Sequence, residues 1–233
     1  IRVLYGFPNT NSFPGFIKRL NWDHSGDINH WVRPIRPSRY PKLPLLLGPF
    51  ADLTTKVLPV GSKGNFATKF AEVSSADVSG LLRSSSGLNK KCKVKRDENW
   101  FFSRYSKDSE SQYEWVSVYQ GNKIVGLGIW GMRNQSWGDE FSARAQITEL
   151  VGANTAALSS IVSTIVKRAN EKNVMLIETV TNDKGLEKVL RKSAFFKYNR
   201  IPFIVKDIGK QELPANIHHH PNWGIFGGDI DTF

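Results

Sequence analysis

Two carboxylates, Glu149 and Glu178, lie in apolar stretches that have the character of β-strands. Side chains alternate between the two faces of a strand, which places Glu149 on the same face as Ile147 and Val151. Glu178 shares a face with Val180 in the same way. Burial raises the pKa of a carboxyl group, as a general base for an amine proton requires. We therefore predict that both glutamates are catalytic and face one cleft where their strands separate. The alternative is an exposed strand end or a structural ion pair with a nearby arginine.

Polar residues also follow several apolar segments of the chain. The amides of Asn9 and Asn182 could hydrogen-bond to an amide of a bound ligand, and Asp229 and Asp231 could bind an amino group or hydroxyl groups. We predict all four as substrate-binding residues for a small-molecule amine. The alternative is a local role, since Asn and Asp favour helix caps and Asx turns.

A basic cluster occupies residues 90–96 and is followed by Trp100, Phe101, Phe102 and Tyr105. Basic patches with aromatic side chains are typical of surfaces that bind nucleic acid. No recognised DNA- or RNA-binding motif accompanies this cluster. We predict a solvated connector followed by aromatic residues of the core.

The remaining reactive side chains form no convincing catalytic set. His218, His219 and His220 are adjacent, so they point in different directions in an extended chain and lack a spaced partner set for a metal. No serine lies in a Gly-x-Ser-x-Gly sequence, and Cys92 lies within the basic cluster. We predict no metal site and no Ser/His/Asp or Cys/His nucleophile system.

Length and composition limit the possible classes of protein. A chain of 233 residues allows one large or two small domains, and 40% hydrophobic with 12% aromatic residues is typical of a folded core. No apolar run approaches the ~20 residues that cross a bilayer, and a single cysteine fits a reducing compartment, so we predict a cytoplasmic protein. The net charge of +11 favours an anionic partner. The chain begins within a strand-like segment, and we expect that an N-terminal portion precedes it.

The first hundred residues contain few regular patterns. Residues 1–22 predict a short strand, a turn and a short helix. Residues 33–59 contain six prolines, a density that disfavours a regular helix or a central strand and indicates a connector.

The second half predicts a mixed α/β layer. Residues 115–119 and 124–130 form a predicted hairpin around Gly121 and Asn122. A third strand at 144–151 precedes an amphipathic helix at 154–171 with Asn154 or Thr155 as its N-cap. The rest of the order is a buried strand at 174–177, a helix at 183–192, a strand at 203–205 and a last one in the tail from 223 to 233.

This order of elements over residues 97–206 resembles the GNAT (Gcn5-related N-acetyltransferase) fold. The sequence YGFPN at 5–9, with the residues up to Trp22, resembles the fifth strand and following helix of a preceding GNAT module. YGFPN, residues 96–105 and the final GDID at 228–231 are similar to tandem GNAT-like proteins encoded with bacterial surface-polysaccharide genes. The resemblance implies three parts: residues 1–32 as the C-terminal remnant of a first module, 33–96 as a Pro-rich and basic connector, and 97–233 as a second module.

The resemblance also implies a co-substrate, acetyl-CoA or another acyl-CoA, held where a strand leads into a helix. The predicted acyl-CoA-binding residues are Val151, Gly152, Ala153, Asn154, Thr155 and Ala156. This loop keeps one glycine, but it lacks the arginine and the paired glycines of the family pattern. The tyrosine that often serves as the general acid is also replaced, with Leu190 and Ile17 at the corresponding positions.

The function implied is an acyl-CoA-dependent N-acyltransferase that acts on an amine, such as an amino sugar in polysaccharide biosynthesis. The degenerate loop leaves open that this half is catalytically inert. Two alternatives come from other classes: a Fem-like transferase that uses aminoacyl-tRNA, for which the charge of +11 is suitable, and a non-enzymatic interaction module with the same fold.

Overall fold

A computed structural model describes residues 3–40, 44, 47–61, 64–85, 92–93, 96–105, 113–137, 140–209 and 215–230. The helices in these residues are α1 (Phe13–Lys18), α2 (Gly48–Lys56), α3 (Ser75–Ser84), α4 (Glu98–Tyr105), α5 (Thr155–Glu171) and α6 (Lys184–Lys192). The strands are β1 (Val3–Gly6), β2 (Asp23–Pro34), β3 (Ala67–Lys69), β4 (Cys92–Lys93), β5 (Tyr113–Gln120), β6 (Lys123–Trp137), β7 (Glu140–Gly152), β8 (Leu176–Thr181), β9 (Phe196–Asp207) and β10 (Trp223–Gly224).

Eight strands form one mixed sheet in the order β1-β9-β2-β8-β7-β6-β5-β3. Only β7 and β8 run parallel to each other in this sheet, and all other described neighbours are antiparallel. Helices α5 and α6 pack on one face, while α3, α4 and the chain from 215 to 230 pack on the other. The prediction of an α/β protein with a mixed sheet is confirmed.

Most of the predicted elements of the second half are present. The hairpin is β5 and β6, the amphipathic helix is α5, and Asn154 is its N-cap. The predicted strand at 174–177 begins instead at Leu176, and the tail contributes only the two residues of β10, which pair with β4. The connector prediction for 33–59 was wrong in part, because α2 forms there with Pro49 in its first turn, where the missing N–H is tolerated.

The largest omission from the sequence analysis is β2. Its twelve residues lie between β9 and β8, and its last residue is Pro34, so the predicted boundary between residues 32 and 33 falls inside a central strand. Together β1 and β2 share one sheet with strands of the predicted second module. The division of the chain into three parts stays a prediction.

The unit β1–α1–β2 is repeated by β8–α6–β9 with a constant offset in residue number. The offset takes Tyr5 to Glu178 and Val32 to Val205. Tyr5 pairs with Val205, and their counterparts Glu178 and Val32 pair with each other. All four pairs of β1 with β9 have counterparts between β8 and β2 under this offset. Every described pair between β2 and β9 also has its counterpart within the same ladder. The two segments are therefore related by a local twofold axis that passes near the Ile28–Ile201 pair.

The turn that follows each helix repeats as well. Asn21 and Ala194 are counterparts under this offset, and both have a left-handed backbone, with φ of 50° and 53°. The last strand of each repeat pairs with the first strand of the other repeat: β2 pairs with β8, and β9 pairs with β1. The exchange of these strands ties the two repeats into one sheet.

The environments of the two repeats differ. The outer edge of β8 pairs with β7, and α5 packs against α6. In the described residues β1 is an edge strand with no partner on its outer side. Leu4 is consequently 36% exposed, whereas its counterpart Ile177 is fully buried.

Close packing of α5 on the sheet gives a direct test of the fold. A Cβ at Gly128 of β6 would lie 2.3 Å from Cγ2 of Ile161, so Gly128→Ala overpacks the core and should lower the free energy of unfolding by about 1–3 kcal/mol. The matched control is Gly80→Ala in α3, where nothing lies within 4 Å and alanine favours the helix. Urea denaturation of both variants measures the effect. Equal stability of the two variants would contradict this packing.

Candidate functional site

The strands β7 and β8 separate towards their carboxyl ends. Their pairing ends at Gln146 and Glu178, and beyond it β7 leads into α5 while β8 leads into α6. A cavity of about 320 Å³ lies between the two helix N-termini. It is lined by Ser85, Leu150, Val151, Gly152, Ala153, Asn154, Thr155, Leu158, Asp183, Gly185, Leu186 and Phe226. We call this cavity the second cleft. Such positions at strand ends and helix N-termini often bind anionic ligands.

Five of the six residues predicted to bind acyl-CoA line the second cleft, and Ala156 does not. The chemistry of the lining does not favour a phosphate. Asn154 Oδ1 accepts the N–H of Ala157 at 2.9 Å, and Asp183 Oδ1 accepts the N–H of Leu186 at 2.9 Å, so both helix N-termini already have an acceptor. Among the described lining residues the only charged side chain is the carboxylate of Asp183.

The glycine of this loop serves side-chain packing. A Cβ on Gly152 would lie 2.8 Å from Cγ of Leu158, so the position must be small for the first turn of α5 to pack against it. Its presence therefore has an explanation that involves no ligand.

A β-bulge corrects the predicted orientation of Glu149. The register of β6 and β7 shifts so that Ile129 pairs with Glu149 and Trp130 with Ile147, which leaves Thr148 as the extra residue. Ala145 and Ile147 consequently pack on the α5 face, while Glu149 and Val151 lie on the α4 face. The prediction that Glu149 shares a face with Ile147 was wrong, because strict alternation ends at a bulge, whereas Val151 does lie on the same face as Glu149.

Glu149 belongs to a buried network of charges. Arg96 donates from Nε to Glu149 Oε2 at 3.0 Å and from Nη2 to Asp229 Oδ2 at 2.7 Å. Tyr105 donates its hydroxyl to Glu149 Oε1 at 3.2 Å. The side chain of Glu149 has no exposed surface, and those of Arg96 and Asp229 are 1% and 3% exposed. The guanidinium also lies 4.7 Å from the ring centre of Phe226.

One cation and two carboxylates share this dry site, so a proton on one carboxyl group makes the cluster neutral. Burial raises the pKa of Glu149 to about 7, with the charge of Asp229 adding to the rise and Arg96 opposing it. Burial also raises the pKa of Tyr105, with a further contribution from Glu149. For Arg96, burial lowers the pKa, but the two carboxylates outweigh it and hold the group protonated.

The chain from 223 to 230 covers Glu149. Phe226 forms a bridge with Thr181 of β8, and a Cβ on Gly228 would lie 2.3 Å from both Glu149 Oε1 and the hydroxyl oxygen of Tyr105. Gly227 is equally close to the backbone, since its Cβ would lie 2.5 Å from the carbonyl oxygen of Ile147. This segment, the covering segment, crosses the gap between β7 and β8. It leaves Glu149 without access to a substrate amine in this structure.

The second predicted carboxylate, Glu178, has a different partner. Its Oε2 lies 3.2 Å from His30 Nε2, and both side chains are largely buried. The ring of His30 meets Tyr198 edge-on at 5.8 Å. Glu149 and Glu178 thus lie on the same face of the sheet, each with its own cationic or histidine partner, and their catalytic role stays a prediction.

Asn9 and Asn182, two of the predicted substrate-binding residues, hydrogen-bond to backbone groups of this chain. Asn9 Oδ1 accepts the backbone N–H groups of Asn11 and Ser12. Asn182 anchors the covering segment, donating to Trp223 O at 2.7 Å and accepting the N–H of Ile225 at 3.2 Å. The bonds of Asn9 are the local turn role that the sequence analysis gave as the alternative, whereas Asn182 bonds to residues 41 and 43 positions further along the chain.

The two predicted aspartates differ in what the structure describes. Asp229 accepts the N–H of Phe226 as well as its bond from Arg96, and Asp231 lies outside the described residues. Within the described chain no group of three His, Cys, Asp or Glu residues is placed to hold a metal, and His218 Nδ1 lies 3.2 Å from Asp23.

Sequence reasoning missed Arg96, Tyr105 and His30. In the sequence, Arg96 is the last residue of the basic cluster at 90–96. Within that cluster the structure describes the side chain of Arg96. The available signal was its place immediately before α4, whose aromatic residues were recognised as core. Nothing in the sequence separates this buried cation from the other basic residues of the cluster.

A larger groove of about 780 Å³ opens at the carboxyl end of β1. It is lined by Tyr5, Gly6, Phe7, Pro8, Asn9, Thr10, Ser12, Phe16, Trp22, His30, Tyr198, Asn199, Arg200, Ile201, Pro202, Ile204 and Ile230. Through the offset between the repeats, positions 7–12 in this groove correspond to positions 180–185 beside the second cleft. We call it the first groove. It is the open counterpart of the second cleft.

The fold is that of solved N-acyltransferases. A GCN5-related N-acetyltransferase from Anabaena variabilis superposes with a TM-score of 0.57 at 10% identity, over 90% of this chain and 46% of that one. A protein from Enterococcus faecalis described as a probable N-acyltransferase gives 0.56 at 12% identity, over 91% and 46%. Saccharomyces cerevisiae N-myristoyltransferase with bound myristoyl-CoA gives 0.57 at 11% identity, over 78% and 50%.

At these identities the likeness shows the fold, which is the GNAT-like acyltransferase fold that the sequence predicted. The chain spans half or less of the length of these three proteins. No protein-family model and no curated protein sequence matches the chain. Among the described helices none is long and apolar enough to cross a membrane.

The raised pKa of Glu149 predicts how stability depends on pH. Its folded pKa of about 7 exceeds its ordinary value of 4.5, so this group stabilises the fold fully below about pH 4.5 and loses that contribution as the pH rises through 7. Glu149→Gln removes the loss. The free energy of unfolding of the variant minus that of the wild type should therefore increase by about 2–3 kcal/mol from pH 5 to pH 8.

Urea denaturation at the two pH values checks this prediction. The exposed Glu72, which has no ion pair among the described residues, provides the control variant Glu72→Gln, which removes a surface carboxylate and leaves the buried cluster intact. A constant difference between Glu149→Gln and the wild type would mean that Glu149 is ionised throughout.

Proposed function

We propose that this chain is part of an acyl-CoA-dependent N-acyltransferase and that acyl transfer takes place at the first groove, while the second cleft is inert. In the reaction the amine nitrogen attacks the thioester carbonyl carbon, an amide forms, the C–S bond breaks, and the proton lost by the amine leaves with CoA as its thiol. The observation that carries the proposal is the twofold repeat, in which one copy of the strand–helix junction is open and the other is closed.

Three features support an inert second cleft. Its helix N-termini are capped by Asn154 and Asp183, the carboxylate of Asp183 repels a pyrophosphate, and the covering segment blocks the approach of an amine to Glu149. The missing glycines and the replaced tyrosine of the sequence pattern agree with this interpretation. The second unit then serves to hold β2 and β9 in place.

The first groove has the opposite character. At the position of Asp183 it carries the neutral Thr10, and it adds the cation Arg200 and an aromatic lining from Tyr5, Trp22 and Tyr198. Aromatic faces and polar amide groups suit a sugar or a nucleotide-linked ligand, which supports an amino sugar as the acceptor. Within the described chain the outer edge of β1 is available to a further strand, as β8 pairs with β7.

This available edge supports the three-part organisation. We propose residues 1–32 as the C-terminal part of a first module whose other strands lie upstream, residues 33–96 as the connector, and residues 97–233 as the second module. Leu4, exposed here and matched by the buried Ile177, is the kind of residue that a further strand and helix would cover.

Two carboxylate variants test which cavity holds the acyl-CoA. Thr10→Asp adds a negative charge to the first groove, and Asn154→Asp adds one to the second cleft while keeping an N-cap residue. In the complete gene product, Thr10→Asp should raise the KM for acetyl-CoA about 10-fold, because a carboxylate near a phosphate costs on the order of 1–2 kcal/mol. Asn154→Asp should leave it within about twofold.

Release of the CoA thiol with a panel of amino sugars measures the rates. A rise in KM for Asn154→Asp alone would move the co-substrate to the second cleft and contradict the proposal. No thioester turnover with any amine would contradict acyl transfer itself and would favour the aminoacyl-tRNA or the interaction-module alternative.

A further inference from the structure

A third cavity, of about 340 Å³, lies between the end of β2, the end of α2 and the second half of α5. It is lined by Arg33, Pro34, Ile35, Thr55, Lys56, Val60, Ser163, Val166, Lys167 and Asn170. Three of these side chains are cationic, and none of the described lining residues is acidic. The cavity shares no lining residue with the first groove or the second cleft.

Arg33 is the unusual member of this lining, because it is 2% exposed and has no carboxylate partner among the described residues. Its Nη1 donates to the carbonyl oxygens of Pro59 and Ser193, and its Nη2 approaches that of Leu58 at 3.5 Å. Its Nε is buried and has no hydrogen-bond partner in the part of the chain that the structure describes. Burial lowers the pKa of Arg33, because it removes the water that would hydrate the charged guanidinium.

The repeat separates two roles of this side chain. The counterpart of Arg33 is Lys206, which donates to the carbonyl oxygen of Leu20, and Leu20 is the counterpart of Ser193. A cation that bonds a carbonyl at the end of a helix is therefore common to both repeats, and a lysine with a single bond suffices for it. The planar guanidinium of Arg33 has more N–H groups than a lysine ammonium, and it lies beside a cavity that Lys56 and Lys167 also line.

We propose that this cavity, the basic cavity, is a binding site for a phosphate group, either inorganic phosphate or a phosphate monoester. A buried cation without a counter-ion costs free energy, and one negative charge of a bound phosphate dianion would remove that cost for Arg33. The ammonium groups of Lys56 and Lys167 would balance the other negative charge of the phosphate. Arg33 lines the cavity and its Nε has no partner among the described residues, and Ser163 and Asn170 supply further hydrogen-bonding groups. The proposal does not rest on acyl transfer.

Phosphate binding by the purified full chain tests the proposal. Titration calorimetry with inorganic phosphate at constant ionic strength should give a saturable signal, and roughly 20 mM phosphate should raise the Tm. The double variant Lys56→Gln/Lys167→Gln should weaken the affinity at least about 10-fold, since each ammonium contributes roughly 1 kcal/mol to an exposed phosphate contact. These side chains are exposed, so the variant should keep the fold.

The control is Lys188→Gln, which removes a charge from an exposed position of α6 that lines none of the three cavities. It should bind phosphate like the wild type. Absence of saturable binding to the wild type, or equal affinity of the double variant and the wild type, would overturn the proposal. The proposal would also be overturned if sodium chloride at the same ionic strength raised the Tm of every variant as much as phosphate does. The rise in Tm would then come from general screening of the net charge.

Discussion

The antiparallel pairing of β2 with β9 is the interaction on which the rest of the structure depends. Each is the last strand of one repeat, and each crosses to pair with the first strand of the other repeat. The pairing obeys one constant offset on both sides of Ile28 and Ile201, so the two repeats are held in a fixed twofold relation. The positions of the first groove and the second cleft follow from that relation, since each lies where a first strand leads into its helix.

The functional difference between the repeats comes from what covers each junction. At the second cleft, Arg96 binds Glu149 of β7 and Asp229 of the covering segment, which fixes the segment over the gap between the strands. Burial in this closed site then raises the pKa of Glu149, and the charge of Asp229 adds to the rise. A raised pKa is typical of catalytic carboxylates, but structural clusters of ions produce it as well. Ile230 of the covering segment lines the first groove as well, but that groove keeps a volume of about 780 Å³.

Sequence patterns predicted the elements from Tyr113 to Lys192 because alternation and helical periodicity are local properties. They could not show β2, whose polar start and final Pro34 do not look like a central strand. They could not show the side of Glu149, because an extra residue at Thr148 reverses the alternation. The repeat was also hidden, since only Asn9, Ile28 and Val32 are identical to their counterparts. These features depend on pairing between distant strands, which composition and spacing do not report.

The most direct test of the account is a crystal structure of the complete gene product with a non-hydrolysable analogue of acetyl-CoA. The account predicts density for the analogue against residues 7–12 of the first groove, with Asp229 of the covering segment still bonded to Arg96 and Gly228 still over Glu149. Density in the second cleft, against residues 151–155 with the covering segment displaced, would contradict it.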